Sequence, residues 1–123
     1  MRADISIDED QKLIRRTVTG QLTPERSLRI IYEMATVVKL HQDHNVLIDI
    51  RDTAPVTQSS DMMAIAGVCS MLKSDFSSKI AFLVPGTQDR ERTTEFWKAC
   101  MVAQGFEFGK FYDDATALAW LSE

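Results

Sequence analysis

The residues best able to do chemistry lie where apolar runs give way to charge. Asp49, Arg51 and Asp52 close the run Val46-Leu47-Ile48-Asp49-Ile50-Arg51-Asp52, and Asp113 and Asp114 follow a later apolar run. If both runs are parallel strands of one sheet, their carboxyl ends converge on one edge, where open α/β sheets usually dock ligands and partners. Carboxylates gathered there suit a hard cation such as magnesium. The plainer use is local: Asp49 or Asp52 paired with Arg51, and Asp113 or Asp114 capping a helix. Past Pro55 comes Thr57-Gln58-Ser59-Ser60-Asp61, whose hydroxyls suit the first turn of a helix and are also possible phosphate acceptors.

His41 and His44 have the separation of metal ligands on one helix face. With no third ligand in view they read as cations near the negative end of a helix dipole or as a solvated turn, so neither a metal nor a cofactor is expected. Pro85-Gly86-Thr87-Gln88-Asp89-Arg90 could hold an anion with backbone amides and Arg90 or Arg92. It lacks the repeated glycines and lysine of a phosphate loop, and Asp89 and Glu91 would repel a phosphate, so a solvated helix start is expected. No nucleophile can be set beside a histidine, and the chain is expected not to be an enzyme.

The elements that position these residues follow from periodicity. Alternation at Ile5 and Ile7, a polar turn over 8–11 and an extended run from Lys12 to Thr19, broken at Gly20, predict an antiparallel hairpin with its arginines in water. Thr23-Pro24-Glu25 supplies a cap, a first-turn proline and an acid for a helix reaching about His41, with Leu28, Ile31, Ala35 and Val38 facing inward. Val46 to Ile50 is apolar at nearly every position, as a strand covered on both faces should be. A second helix, capped by Thr57, Ser59 or Ser60, buries Met62, Ile65, Cys69 and Leu72. A strand over 80–84 leads to a third helix that buries Phe96, Trp97, Cys100 and Ala103 and stops at Gly105. A strand over 106–111 and a last helix ending Ala117-Leu118-Ala119-Trp120-Leu121 complete an α/β order of β-β-α-β-α-β-α-β-α. Such alternation predicts a mostly parallel sheet with right-handed crossovers.

The 123 residues fit a single domain spanning 1–123. Their 45% apolar and 26% charged composition is that of a globular protein, and a net charge of −4 gives no reason to expect nucleic acid or anionic lipid as a partner. No apolar run approaches the ~20 residues needed to cross a bilayer, so no membrane insertion is expected. Met1-Arg2-Ala3-Asp4 lacks the apolar core of a signal peptide, and Cys69 and Cys100 read as buried thiols; a cytoplasmic location is expected.

Three passages carry a family resemblance: Leu47-Ile48-Asp49-Ile50-Arg51-Asp52, Ser78-Lys79-Ile80-Ala81-Phe82-Leu83-Val84, and Gly105-Phe106-Glu107-Phe108-Gly109-Lys110-Phe111 through Leu121. In this order they resemble the STAS domain of sulphate transporters and anti-sigma factor antagonists, and more closely its SpoIIAA-like relatives, small stand-alone bacterial proteins. The resemblance spans nearly the whole chain and implies a single-domain STAS-like sandwich. It also implies a non-enzymatic interaction or regulatory module, whose partner is an anti-sigma-factor-like kinase or regulator. In the antagonists a serine within Asp-Ser-Ser-Gly is phosphorylated. Here Gln58-Ser59-Ser60-Asp61 keeps the serine pair and departs on either side of it. The implied phospho-acceptor and partner loop is Ser59 and Ser60 with Asp49, Arg51, Asp52 and Thr57.

Two apolar features complete the reading. Met62, Met63 and Val68 cannot share one helix stripe, so part of the second helix is expected to stay uncovered as a docking face for a partner or for a homodimer. The alternative is a carrier or sensor of a small apolar ligand or lipid, with a pocket between the sheet and the second and third helices lined by Met62, Ile65, Phe96 and Trp97.

Overall fold

A computed structural model describes residues 4–55, 58–76 and 78–123. The hairpin is present as β1 (Ile5–Asp8) antiparallel to β2 (Leu13–Leu22), with Ile7 opposite Ile14. Then follow α1 (Pro24–Leu40), β3 (Asn45–Pro55), α2 (Ser59–Met71), β4 (Ile80–Leu83), α3 (Gln88–Ala103), β5 (Phe108–Phe111) and α4 (Asp114–Leu121). All strands form one sheet in the order β1-β2-β3-β4-β5, and β2 to β5 run parallel.

That unbroken order decides where the helices go. Each of three successive crossovers advances one strand in the same direction, and right-handed crossovers that all advance one way lay their helices on one face. Ile30, Met34 and Val38 of α1, Cys69 of α2 and Met101 of α3 accordingly pack with Ile14, Val46, Ile48, Ile80 and Phe108 of the sheet. Among the described residues the opposite face carries α4 alone, where Ala117 and Leu121 cover Leu13, Leu47, Ala81 and Leu83. The order never reverses, so the sheet has no switch-point crevice of the doubly wound kind. An apolar pocket lies instead beneath α1, α2 and α3.

Several boundaries differ from the sequence expectation. β2 continues through Gly20, which takes a φ of +86° inside the strand and does not end it. β3 is longer than 46–50, and Thr17 pairs with Asp49 while Thr19 pairs with Asp52, so β3 carries one extra residue as a bulge. The bulge shifts the alternation beyond it, and Thr53, not Asp52, shares the helix-covered face with Gly20. Not all the hairpin arginines stand in water: Arg16 is buried, 2.8 Å from Asp4 Oδ2 and 3.0 Å from Glu33 Oε1 on α1. The inner stripe of α1 is Ile30, Met34, Ala35 and Val38, with Leu28 and Ile31 only half-buried.

The helix starts follow capping chemistry. Thr23 Oγ1 accepts from the Arg26 amide at 3.2 Å, and Asp113 Oδ1 from the Thr116 amide at 2.8 Å. At α2 the N-cap is Gln58, while Ser59 and Ser60 are the first helical residues; Asp61 Oδ2 accepts from the Gln58 amide at 2.9 Å. The expectation that a hydroxyl caps this helix is thus corrected for the two serines, and Thr57 lies outside the described residues.

Gly109 marks the closest approach in the sheet, because a Cβ there would lie 2.6 Å from Phe111 Cε2 and 3.3 Å from Trp120 Cε3. Gly109→Ala is expected to lower the stability read by urea unfolding by about 1–3 kcal/mol, the range for overpacking a filled site. An unchanged midpoint would contradict it.

Candidate functional site

The carboxyl ends of β3, β4 and β5 share one rim, and the charges expected there do converge. Asp49 grips Arg51 through two oxygens, with Oδ1 accepting from Nε at 3.0 Å and Oδ2 from Nη2 at 2.8 Å. Asp49 Oδ1 also accepts from the Arg51 amide at 3.1 Å, which gives that amide a partner at the bulge. Arg15 from β2 bonds Asp114 at 2.8 Å and lies 3.6 Å from Asp49. Two guanidinium groups therefore face two carboxylates, and each carboxylate oxygen that a magnesium ion would need already has a cation beside it. Asp52 stands exposed, and Asp113 serves the α4 cap. Burial pushes the Asp49 carboxyl up, yet hydrogen bonds and charge from Arg51, with help from Arg15, outweigh burial and hold it below its ordinary value.

Ser60 is exposed at the start of α2 beside this rim. Ser59 occupies the first helical position, and its side chain lies outside what the structure describes. Of the methionines expected to form a face, Met62 is buried and Met63 is 63% exposed; Met71, at the end of the same helix, is 81% exposed. α2 thus shows apolar side chains to solvent as well as to the core.

The turn after β4 does not present its arginine to an outside anion. Arg90 folds inward, where Nη1 donates to the Thr53 carbonyl at 2.6 Å and Nη2 to Thr53 Oγ1 at 3.2 Å. It is 7% exposed and lines an apolar pocket of about 140 Å³ between the sheet and α1, α2 and α3. Met34, Ile48, Ile50, Met62, Ile65 and Trp97 form much of the wall. Three of the four residues expected to line a pocket therefore do so. Phe96 does not: it is 37% exposed, because the buried side of α3 runs through Arg90, Thr94 and Met101, with Trp97 half-buried on that side.

The electrostatics of this cavity are unusual. No carboxylate among the described residues pairs with Arg90, whose basicity burial pushes down. Its Nε and the Trp97 Nε1 are both buried donors without a hydrogen-bond partner. Most buried polar groups are satisfied, so two unmet donors on one cavity wall call for a reason.

A second cluster lies at the opposite, amino edge of the sheet. The hairpin turn places Glu9 against His41 and His44, and one donor atom from each lies within 4.8 Å of the others. Glu9 was not legible as a partner of the two histidines, being some thirty residues away in sequence with no local pattern linking them. At β5, Lys110 bonds Glu91 and Glu95 of α3, each at 2.6 Å, and Tyr112 donates to Glu91. Both glutamates are held below their ordinary values chiefly by the Lys110 hydrogen bond. The thiols of Cys69 and Cys100 are free, Cys69 buried and Cys100 half-buried; burial pushes the Cys69 thiol up to about 12 and makes it a packing group.

Comparison of the chain with protein-family models, with curated proteins and with solved structures finds no match. Among the described residues, no helix is long and apolar enough to cross a membrane.

The lowered Asp49 pKa fixes the sign of a pH effect. A carboxyl held below its unfolded value of 3.8 contributes stability above that value and loses it as pH falls through the folded pKa. Asp49→Asn is expected to unfold at lower urea than wild type at pH 7, with the gap narrowing below about pH 4. A gap of constant width from pH 7 to pH 3 would show that the Asp49 charge is not what stabilises the rim.

Proposed function

We propose that this protein is a non-enzymatic carrier or sensor of a small apolar carboxylic acid, bound in the cavity beneath α1, α2 and α3. The supporting observation is an apolar cavity with one buried guanidinium on its wall that lacks a counter-charge. An apolar cavity of roughly 150 Å³ engineered into another protein stays dry and binds benzene. Space of about 140 Å³ here suits a ligand of comparable apolar bulk, with roughly six to ten non-hydrogen atoms. A guanidinium cannot shed its charge in a protein, and an unpaired buried ion carries a desolvation penalty of several kcal/mol. A carboxylate entering the cavity would relieve that penalty by accepting from Arg90, and the same head group could accept from Trp97 Nε1.

Octanoate and phenylacetate are expected to raise the thermal midpoint, with octanol and toluene as uncharged counterparts. At a hundredfold excess over Kd the expected stabilisation is about 2.7 kcal/mol. Arg90→Met keeps an unbranched side chain and is expected to abolish the preference for acid over alcohol. If acid and alcohol bind wild type equally, the head-group assignment fails. If neither binds, the carrier reading fails.

A second reading, a protein-interaction module of STAS type, is favoured by the exposed Met63 and Met71 on α2, whose first turn holds exposed Ser60. Its support is the order of elements and the run of parallel neighbours from β2 to β5. The partner would be a kinase or regulator recognising the rim and α2, or a second copy of the chain. Asp61, two bonds of chain from Ser59 and adjacent to Ser60, opposes a phosphate there by like charge. Ser60→Asp, Ser59→Asp and a Met63→Glu, Met71→Glu double variant are each expected to recover less of any protein captured by wild type. Equal recovery by all of them would remove this reading.

A further inference from the structure

We propose that Glu9, His41 and His44 form a zinc site at the amino edge of the sheet, remote from the cavity and independent of its ligand. His41 at the cap of α1, His44 in the turn before β3 and Glu9 in the hairpin turn supply the donors. Glu9 Oε1 lies 3.3 Å from His44 Nε2, and Glu9 Oε2 lies 3.9 Å from His41 Nδ1. Tetrahedral zinc with nitrogen and oxygen ligands at about 2.0–2.1 Å spaces its donors roughly 3.3 Å apart. The cluster, spread within 4.8 Å, therefore needs only a small contraction. Glu9, whose side chain is 65% exposed, is free of packing that would prevent it. Three protein ligands of this kind leave a fourth position for water, and imidazole with carboxylate is a donor set suited to zinc.

The placement of His44 carries the argument. The residue is 2% exposed, and its Nδ1 lies 2.8 Å from Asp43 Oδ1. A carboxylate can only accept, so Nδ1 is the donor in that contact, and Nε2 is the nitrogen left facing Glu9 and open to a metal. Nε2 is buried and has no hydrogen-bond partner, although a carboxylate oxygen sits 3.3 Å away. An unprotonated Nε2 would set a lone pair against that carboxylate, and a cation between them satisfies both. The Asp43 contact is also the outer-shell carboxylate that orients metal-bound histidines and sets their tautomer.

The surrounding chain holds the ligands in place. Asp8 Oδ1 accepts from the amides of Asp10 and Gln11 at 3.0 and 3.1 Å, which orders the turn that bears Glu9. Lys12 adopts a φ of +53°, a conformation costly for a residue with a Cβ, and its Nζ lies 3.2 Å from Asp43 Oδ2. Lys12 thereby occupies the second oxygen of Asp43 and leaves the first for His44.

A second proton on His44, making it an imidazolium between Asp43 and Glu9, would meet the same electrostatic need, and a metal titration separates the two. Protein stripped with EDTA is titrated with ZnCl2 by calorimetry and with CoCl2 by visible absorption. Wild type is expected to bind one zinc per chain and to give the ligand-field bands of tetrahedral cobalt. His41→Ala and Glu9→Gln alter partly exposed side chains, and each is expected to weaken zinc by about tenfold or more. Asp43→Asn touches no ligand atom and is expected to weaken it roughly 10–100-fold. Circular dichroism confirms that each variant is folded. Absence of zinc binding at micromolar concentration, or equal binding by wild type, His41→Ala and Glu9→Gln, overturns the proposal.

Discussion

Right-handed crossovers between neighbouring parallel strands leave a chain little choice about where its helices go, and much else in this molecule follows from that constraint. β2 through β5 are laid side by side without a reversal, so α1, α2 and α3 crowd one face while α4 alone serves the other. Three helices over one sheet face leave a boundary between them and the sheet that must be filled by side chains from all of them. Residues such as Ser27 and Thr94 reach that boundary and are short, and an open volume of about 140 Å³ remains. Interiors are normally packed to crystal density. A void of this size is therefore a property of the arrangement that sequence choice could have removed, since exchanging a few small residues for larger apolar ones would close it.

How much of this was legible depended on whether burial was achieved with apolar residues. β3 was legible because Val46 to Ile50 is buried throughout, and the α1 and α4 starts because Thr23 and Asp113 cap them by local hydrogen bonds. The inward side of α3 was not. Two of its buried positions are Arg90 and Thr94, so apolar periodicity points to Phe96 and away from the helix's true phase. The same blindness hid Arg16, a buried arginine with carboxylates on either side. Glu9 was invisible for a different reason. Its partnership with His41 and His44 is made by strand pairing that brings the hairpin turn over the end of α1, and no local spacing encodes it.

Asp49 shows how a local irregularity and a charge pattern can be one device. The extra residue in β3 interrupts the ladder beside Arg51, and Asp49 takes up that amide with the same oxygen that holds the Arg51 Nε. Beyond the bulge the strand's faces are exchanged, which delivers Thr53 to the helix side as the acceptor for Arg90. The rim network and the cavity wall are thus linked through a single irregular step in the central strand. A sequence reading that placed all charges after Ile50 on one working edge could not separate them. Asp49 and Arg51 face α4, while Thr53 contributes to the opposite layer.

The treatment of arginine across the fold sharpens the case for the cavity. Arg15 and Arg51 share two carboxylates at the rim, and Arg16, as deeply buried as any cation described, lies against two more. Arg26 is half-buried, so solvent completes what the carbonyls of Thr19 and Gln21 begin. Arg90 alone among these combines deep burial with neutral partners only, the carbonyl and hydroxyl of Thr53. If its role were only to tie α3 to β3, a neutral donor would make those bonds without the desolvation penalty of an ion. What a neutral side chain cannot do is hold an anion in an apolar chamber with directional hydrogen bonds. The positive charge is the part of Arg90 that the resting fold does not use, and it stands on the wall of an apolar space large enough to admit its complement.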